Sequence, residues 1–324
     1  MDFRDMSRQL AVGFFAVSLS VASFGLVGCG SASDEGVDQT SSDVTKTVYA
    51  NVYEVLGGED LNTYLGLRTR LNNDFLDICG DTFCDGDYGS FQPVAIDCSM
   101  SKTSKKMAQC VWTFAASIEY VNGSSAKVTS DVGIVTCTIP VKGLATDFIA
   151  ALNVASPGIA MRQVVPGGTK TMYDYVAGCF EGVTPKPAPT PTKTQTYSSA
   201  EQIAMNGNPD SFMPGVRSLD AAFDNACGDT YCDGDYNDIT GLGFTCAVSK
   251  AGNVKGCGWS FAGVYSTVGS YGVITAHTKS WTCPLPFSGK QAALTSYIQS
   301  ADPFDATLPG STETTSNALA GCFH

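Results

Sequence analysis

The sequence predicts an α+β protein made of two tandem domains, each cross-linked by disulfides. Three observations support this prediction: a cysteine-containing block occurs twice, each half beyond a leader has six cysteines, and both halves follow the order helix, strands, helices. Each domain is expected to contain one long helix, a three-stranded antiparallel meander and short C-terminal helices, with the helices on one face of the sheet.

The duplication rests on four blocks that recur in the same order. The segment CGDTFCDGDY at 79–88 returns as CGDTYCDGDY at 227–236. Three further blocks recur, CVWTFA as CGWSFA, TCTIP as TCPLP, and AGCF unchanged. Such self-similarity indicates repeated structural units. We therefore assign repeat 1 to residues 49–181 and repeat 2 to residues 200–324, joined by a linker at 181–199 whose prolines favour an extended spacer.

The spacing of apolar residues predicts a helix at the start of each repeat. Ahead of the first cysteine block, apolar side chains recur every three or four residues, as on the buried face of a helix. They are Leu61, Tyr64, Leu65, Leu71, Phe75 and Ile78 in repeat 1, and Leu219, Ala222, Phe223 and Ala226 in repeat 2. The Gly-Asp-Thr and Asp-Gly-Asp segments that follow are expected to form a loop.

Strands and short helices are predicted after this loop. In repeat 2, runs rich in Val, Thr, Tyr, Phe and Trp at about 242–250, 257–268 and 271–285 predict an antiparallel meander. Residues 292–300 and 316–320 are expected to form short helices, matching 147–153 and 173–177 in repeat 1. Trp112 and Trp259 are predicted to be core residues that cover the disulfides, and stacking on a ligand is the alternative.

The thirteen cysteines divide into Cys29, which precedes the repeats, and six in each repeat. Those of the repeats are Cys79, Cys84, Cys98, Cys110, Cys137 and Cys179, then Cys227, Cys232, Cys246, Cys257, Cys283 and Cys322. Three disulfides per repeat are expected, because the compartment beyond the inner membrane is oxidising. Zinc is the disfavoured alternative, since the chain has only two histidines. The spacing of the cysteines leaves most of the pairing open. One pair is predicted: Cys246 and Cys257 flank a Gly-containing turn symmetrically, as facing residues of a hairpin do. Cys98 and Cys110 are the equivalent pair in repeat 1.

Residues 1–28 have the organisation of a secretory signal peptide. Arg4 and Arg8 precede an apolar run from Leu10 to Gly28, whose C-terminal end is rich in small residues. The segment LVGC at 26–29 resembles the lipobox of bacterial lipoprotein precursors. This resemblance implies that Cys29 receives a diacylglyceryl group and becomes the first residue of the mature chain. A transmembrane anchor is the alternative, since an apolar run of this length could just span a bilayer.

The lipobox also implies where the protein is attached. Acyl chains hold a protein on a membrane surface, and more than one chain makes the anchoring stable. Gly30 follows Cys29, whereas Asp at this position is the inner-membrane retention signal of some lipoproteins. We therefore expect anchoring outside the cytoplasm, at the outer membrane, with the polar residues 29–48 as a disordered tether.

Charge excludes one class of partner. The net charge is −12, from 19 Lys and Arg against 31 Asp and Glu. Phosphate backbones are bound by a surplus of basic side chains, so nucleic acid is not an expected partner. The sequence patterns of nucleophile-elbow serine hydrolases, zinc peptidases and phosphate-binding loops are absent as well.

An acidic cluster in each repeat is the candidate cation site. The aspartates are Asp81, Asp85 and Asp87 in repeat 1, and Asp229, Asp233, Asp235 and Asp238 in repeat 2. Calcium takes several oxygen ligands, and a loop with glycine lets carboxylates converge, so calcium is the cofactor these loops would accommodate although none is required. The match to an EF-hand loop is partial, because Phe83 and Tyr231 stand where another oxygen ligand belongs. A metal-free tight turn and a catalytic carboxylate pair are the alternatives.

Together these features favour a binding protein of the cell envelope rather than an enzyme. A tethered duplication holds two linked modules at high effective concentration. The repeated CGDT block also resembles Cys-rich secreted bacterial proteins of uncharacterised function, a resemblance that implies no activity. We expect a non-catalytic interaction module for a protein or glycan ligand. The alternatives are an extracellular enzyme that acts on envelope polymers through its aspartates, and a purely structural envelope component.

Overall fold

Two β-sheets with the same strand order frame the structure, a computed structural model that describes residues 47–82, 88, 91–154, 158–189, 196–207, 209–230 and 235–323. Repeat 1 contains β1 (Tyr49–Asn51), α1 (Val52–Val55), α2 (Gly58–Thr82), β2 (Gln92–Ser101), β3 (Met107–Val121), β4 (Val128–Pro140), α3 (Ala145–Leu152) and α4 (Met172–Phe180). Repeat 2 contains β5 (Tyr197–Ser199), α5 (Ala200–Gly207), α6 (Pro209–Thr230), β6 (Asp238–Ser249), β7 (Asn253–Val268), β8 (Ile274–Leu285), β9 (Gly289–Lys290), α7 (Gln291–Ile298) and α8 (Thr315–Phe323). One-turn 3-10 helices lie at Ala160–Arg162 and Ser270–Gly272.

The predicted α+β fold with antiparallel meanders is present in both repeats. The strand order is β1-β2-β3-β4 in one sheet and β5-β6-β7-β8 in the other, with β9 beside β7. Every pairing is antiparallel. The edge strands β1 and β5 were not predicted, because three residues are too few for an alternating pattern. Strand β5 lies in the segment assigned to the linker, so the second sheet begins at Tyr197.

The long helices α2 and α6 confirm the predicted periodicity but differ from it at two points. Leu65 was expected in the buried face and is 40% exposed, whereas Leu67, which was not predicted, is fully buried. Tyr64, Leu67 and Leu71 together form the buried stripe, so the face is rotated from the predicted one. The Gly-Asp-Thr segment was expected in a loop, but both helices continue through it to Thr82 and Thr230.

Each sheet buries one face against its own helices through the same aromatic cluster. Phe75 of α2 lies 4.5 Å from Phe114, which lies 4.7 Å from Trp112. In repeat 2 the equivalent ring distances are 4.8 Å from Phe223 to Phe261 and 4.7 Å from Trp259 to Phe261. Both tryptophans are fully buried. They are core residues, as predicted, and aromatic contacts of this kind add to the stabilisation that burial provides.

Disulfides connect facing strands and join helix to sheet. Cys98 is bonded to Cys110 and Cys246 to Cys257, and both pairs face each other across a hairpin, as the symmetry of the sequence predicts. Cys283 of β8 is bonded to Cys322 of α8. Cys79 and Cys227, at the ends of the long helices, are disulfide-bonded too. Cys84 and Cys232 lie outside the described residues.

The cysteines equivalent to the Cys283–Cys322 bridge are two thiols in contact in repeat 1. Cys137 of β4 and Cys179 of α4 are both in the free form. Their mutual hydrogen bond raises the pKa of Cys137, which burial raises further, and the same bond lowers the pKa of Cys179. A third disulfide in repeat 1 stays a prediction. Oxidation of these two adjacent thiols would form it.

Candidate binding site between the two repeats

The two sheets pack against each other with the faces that their helices leave open. Val94, Ala95 and Ala115 of repeat 1 form one buried cluster with Ala262 and Val264 of repeat 2. Their small side chains permit close approach of two sheets. Residues 46–324 therefore form one compact unit in which layers run helix, sheet, sheet, helix. This arrangement explains why most of β3 and β7 is buried on both faces.

At three points of this interface a glycine of repeat 2 lies against a side chain of repeat 1. A Cβ on Gly258 would lie 2.6 Å from a methyl carbon of Val128, and a Cβ on Gly272 would lie 2.5 Å from that of Ala108. A Cβ on Gly243 would overlap the carboxylate of Glu119. Glycine inside a strand commonly marks such close approach of another group. A side chain at Gly258 or Gly272 would force the two repeats apart, whereas a side chain at Gly243 would displace the Glu119 carboxylate.

A hydroxyl and carboxylate network lies beside Gly243. Within repeat 1, Ser117 Oγ donates a hydrogen bond of 2.6 Å to Glu119 Oε1. Ser260 Oγ of repeat 2 donates to the same oxygen. Buried polar groups are costly unless they are hydrogen-bonded, so this network favours one register between the sheets.

An ion pair crosses the interface at the edge of the sheets. Arg68 Nη2 of α2 lies 3.5 Å from Asp238 Oδ1 at the start of β6, and the two side chains are 20% and 28% exposed. Burial raises the pKa of Asp238 to about 6, and the Arg68 guanidinium partly offsets this increase. Beside the pair, the Tyr53 hydroxyl donates to Asp97 Oδ1 at 3.0 Å, and the Arg68 guanidinium carbon lies 5.8 Å from the Tyr53 ring centre. Asp238 was a candidate calcium ligand, and its carboxylate instead faces this guanidinium.

A second buried carboxylate lies in repeat 2, on α6. Burial raises the pKa of Asp220 to about 7, and the nearby Asp224 carboxylate adds to this increase. Asp220 Oδ1 and the indole nitrogen of Trp259 converge beside Gly241, at 3.1 and 3.2 Å from the position that a Cβ would take there. In repeat 1 the equivalent of Asp220 is Asn72, which carries no charge. The repeats therefore place an ionisable and a neutral group at the same position.

A cleft of about 850 Å³ opens where the two repeats meet. Repeat 1 contributes the end of the β3–β4 hairpin, including Lys127 and Ser130, and repeat 2 contributes β7, β8 and the C-terminal helix, including Thr282 and Asn317. Ser130 and Thr282 are hydrogen-bonded to each other at 2.5 Å, which joins the walls. The volume lies within the range of small-molecule sites, about 300–1,000 Å³.

The wall from repeat 1 is a fixed turn. The Asn122 side-chain oxygen accepts hydrogen bonds from the main-chain N–H groups of Ser124 and Ser125 at 3.0 and 2.9 Å. Ala126, which lines the cleft, has φ of 61°, a left-handed conformation that is unfavourable for a residue with a Cβ. Backbone strain that the surrounding structure holds in place is frequent at functional sites. The carbonyl of Gly123 accepts from the main chain of Tyr197, which ties the turn to the start of repeat 2.

The aspartates proposed for calcium are only partly described. Asp85, Asp87 and Asp233 lie outside the described residues, as do the side chains of Asp81 and Asp229. Asp235 is exposed and Asp238 faces Arg68. Among the described residues, no three His, Cys, Asp or Glu side chains come close enough to hold a metal ion. The calcium site thus stays a prediction.

The leader, the lipobox with Cys29, and the tether up to residue 46 lie outside the described residues. In the part of the chain that the structure describes, no helix combines the length and apolar character needed to cross a membrane. Lipidation of Cys29 stays a prediction.

Sequence reasoning missed the residues of the interface. None of the residues Arg68, Glu119 and Asp220 belongs to a sequence motif. Each of them contacts a group that is distant in the chain. A signal was present in the differences between repeats: Gly258 stands where repeat 1 has Val111, and Gly243 where it has Ala95. Glycine inside a predicted strand indicates that another backbone or side chain approaches.

Comparison with known proteins adds no relative. No protein-family model matches the chain, and neither a curated protein nor a solved structure is significantly similar to it.

Proposed function

We propose that this chain is a non-catalytic binding module of the cell envelope whose ligand lies in the cleft between the two repeats. One observation supports this most: the cleft has walls from both repeats, so packing of the duplicated sheets creates a site that neither repeat has alone. Its volume and its position at an interface between domains are typical of ligand sites.

The chemistry of the walls favours a neutral, hydroxyl-rich ligand, and we propose a glycan. Hydroxyl and amide groups of Thr129, Thr282 and Asn317 line the cleft together with prolines, and can both donate and accept hydrogen bonds. One basic residue, Lys127, and one acidic residue, Glu313, come from different repeats. The cleft therefore offers no excess charge that would select an ion.

The proposed location follows from the lipobox. A diacylglyceryl group on Cys29, with residues 29–48 as a tether, would hold the module at the outer membrane, where envelope glycans are within reach. The disulfides fit the same oxidising compartment.

Two glycine variants test the cleft. Gly321 lines it and a Cβ there would have no heavy atom within 4 Å, so Gly321→Trp should fill the cleft without strain. Gly178 is the equivalent residue of repeat 1, equally unobstructed and outside the cleft, so Gly178→Trp is the matched control. The probes are N-acetylglucosamine hexamer and soluble peptidoglycan fragments, and the readout is the melting temperature. We expect one probe to raise the melting temperature of the unmodified chain and of Gly178→Trp, but not of Gly321→Trp. An increase that Gly321→Trp retains, or none for either probe, would contradict the proposal.

Lipidation is tested separately on the cell. Cys29→Ala should leave the repeats folded but move the protein out of the membrane fraction, and mass spectrometry of the unmodified protein should show a diacylglyceryl group on residue 29. A membrane-bound Cys29→Ala variant would indicate the transmembrane alternative instead.

Calcium is a further proposal for the aspartate loops. Added at millimolar concentration, it should raise the melting temperature of the unmodified chain, and Asp85→Ala together with Asp233→Ala should remove the increase. No increase in the unmodified chain would dismiss calcium.

A second candidate function, hydrolysis of an envelope polymer, is favoured by Asp220 alone. A carboxyl group with a pKa of about 7 can act as a general acid near neutral pH. Incubation of the peptidoglycan fragments with the protein, followed by assay of new reducing ends, tests it. Activity that Asp220→Asn abolishes would favour the enzyme.

A further inference from the structure

The geometry points to a second binding surface, on the outer end of the repeat 2 sheet, for an extended proline-containing peptide that carries an acidic side chain. In repeat 1 the equivalent surface is covered by the chain's own linker, and substitutions between the two repeats change the side chains on this surface in repeat 2. This site is distinct from the cleft, so the proposal goes beyond the function proposed above.

In repeat 1 a proline-containing segment lies on the sheet end. Asp131 of β4 is only 7% exposed, and its Oδ2 accepts hydrogen bonds from the Tyr88 hydroxyl at 2.9 Å and from the Lys186 main-chain N–H at 2.7 Å. Its Oδ1 lies 3.2 Å from Lys186 Nζ. Val183, three residues earlier, packs against the core. The segment VTPKP at 183–187 is therefore held through its main chain and one cationic side chain.

The strand register identifies the equivalent positions in repeat 2. Ile118 faces Asp131 and Phe114 faces Val135 in repeat 1, just as Tyr265 faces His277 and Phe261 faces Trp281 in repeat 2. Gly133 lies two residues after Asp131, and Lys279 lies two residues after His277, so these positions are equivalent too. Tyr88 and Tyr236 are equivalent residues of the two cysteine blocks. Repeat 2 thus has Tyr265, Lys279 and Trp281 where repeat 1 has Ile118, Gly133 and Val135, and His277 where repeat 1 has the acidic Asp131.

These replacements, together with the tyrosine that both repeats share, form what we call the aromatic surface: Tyr236, Tyr265, His277, Lys279 and Trp281. The ring of Tyr236 is 5.3 Å from that of Tyr265 and 5.4 Å from that of Trp281, both edge to face. Tyr265 stacks on His277 at 4.5 Å. The Lys279 ammonium group is exposed and lies 4.8 Å from the Trp281 ring. Grooves lined by aromatic rings are a known mode of recognition for extended proline-rich segments.

The charge of the surface selects the peptide. Repeat 1 uses the carboxylate of Asp131 to hold the lysine of its segment, whereas repeat 2 has His277 at that position and Lys279 two residues later. The exposed Asp235 beside Tyr236 does not distinguish the repeats, because repeat 1 has Asp87 there. A ligand that occupies the aromatic surface as 183–187 occupies repeat 1 should therefore carry Asp or Glu in place of Lys186.

The test uses the full mature chain in detergent micelles and two synthetic peptides. One is VTPKPAPTP, the sequence of residues 183–191, and the other is VTPEPAPTP with the charge reversed. Trp112 and Trp259 are fully buried and Trp281 is not, so a change in tryptophan fluorescence on titration reports the aromatic surface. We expect saturable binding of VTPEPAPTP, tighter than that of VTPKPAPTP on the order of fivefold.

Two variants that restore the residues of repeat 1 decide the outcome. His277→Asp should reverse the preference toward VTPKPAPTP. Trp281→Val should abolish binding in calorimetry. Because Trp281 also packs edge to face on Phe323, with 5.3 Å between ring centres, this variant should melt at a lower temperature, and an unchanged far-UV circular dichroism spectrum would show that it folds. Saturation by neither peptide, or equal affinities that His277→Asp leaves unchanged, would overturn the proposal. Binding of N-acetylglucosamine hexamer at the aromatic surface, with no binding of either peptide, would overturn it in favour of a glycan site.

Discussion

The two repeats share one fold but present different surfaces to each other. Where their open sheet faces meet, repeat 1 contributes side chains such as Val128 and Glu119, and repeat 2 contributes glycines such as Gly258 and Gly243. At the latter two positions repeat 1 has Val111 and Ala95. Two copies of repeat 1 could therefore not pack in this way, because two Cβ-bearing strands would overlap. The fold of each repeat is thus explained by the duplication, whereas the interface between the repeats depends on glycine substitutions in repeat 2.

The largest effect is expected at the disulfide that joins the last long strand of the repeat 2 sheet to the C-terminal helix. Cys283→Ala with Cys322→Ala removes a cross-link over a 39-residue separation, and should lower the free energy of unfolding by about 4 kcal/mol. For protein isolated from the cell envelope, Cys137→Ala with Cys179→Ala should lower the free energy of unfolding by about the same amount, because oxidation of these adjacent thiols gives the equivalent bridge. Urea unfolding of both variants measures this.

Alkylation of unreduced protein is the control for that comparison. Envelope protein should incorporate no label at Cys137 or Cys179, whereas protein made under reducing conditions should label at Cys179. Label at both positions in envelope protein would make repeat 1 a two-disulfide domain, and the Cys137→Ala, Cys179→Ala variant should then cost far less.

The next effect concerns the interface itself. Gly258→Val gives repeat 2 the residue of repeat 1 and brings a Cβ to 2.6 Å from Val128. Overpacking of this kind should destabilise the protein by about 2–3 kcal/mol. Gly256→Ala, two residues earlier in the same strand, adds a Cβ with no heavy atom within 4 Å and should be nearly neutral. Equal stability of the two variants would mean that the sheets do not approach as closely as described.

The elements were predictable because each depends on nearby residues. Periodic apolar residues indicated α2 and α6, and the symmetric cysteines about the turn indicated the pairing of Cys246 with Cys257. The rotated face of α2, where Leu67 is buried and Leu65 exposed, was not predictable, since it depends on where the sheet contacts the helix. The Arg68–Asp238 pair joins residues 170 positions apart and leaves no local pattern.

The candidate sites were less predictable than the fold. The sequence directed attention to the aspartate loops, whereas the cleft arises from the packing of two sheets that the sequence treated as separate domains. The aromatic surface is visible in sequence only once the strand register makes His277 equivalent to Asp131.

A smaller, pH-dependent effect is expected at Asp220. Its pKa is raised to about 7, so its contribution to stability is complete below the pKa of an unfolded aspartate, about 4, and is lost as the pH rises through 7. Asp220→Asn, which reproduces Asn72, should leave stability at pH 4 unchanged and increase it at pH 8 by about 1–2 kcal/mol. Asn72→Asp should have the opposite effect at pH 8. Thermal unfolding between pH 4 and 8 measures both, and an unaltered pH profile of Asp220→Asn would show that its carboxyl group is not buried in solution.

The smallest effect is expected at Asp131, which holds the linker. Burial alone would raise its pKa, but the hydrogen bonds from Lys186 and Tyr88 lower it, so its stabilising contribution is present above the pKa of an unfolded aspartate and is lost in acid. Asp131→His introduces the residue of repeat 2 and removes these acceptors. Because Lys186 is 85% exposed, the ion pair itself contributes little, and we expect a loss of about 1 kcal/mol, mainly from the buried hydrogen bonds. Hydrogen exchange of the Lys186 main-chain N–H should then be faster than in the unmodified chain, and Lys186→Ala should reproduce only a fraction of this increase because the main-chain N–H at 186 still donates to Asp131. Equal acceleration by both variants would place the anchoring in the side-chain pair rather than in the main chain, and would remove the basis for expecting a peptide on the equivalent surface of repeat 2.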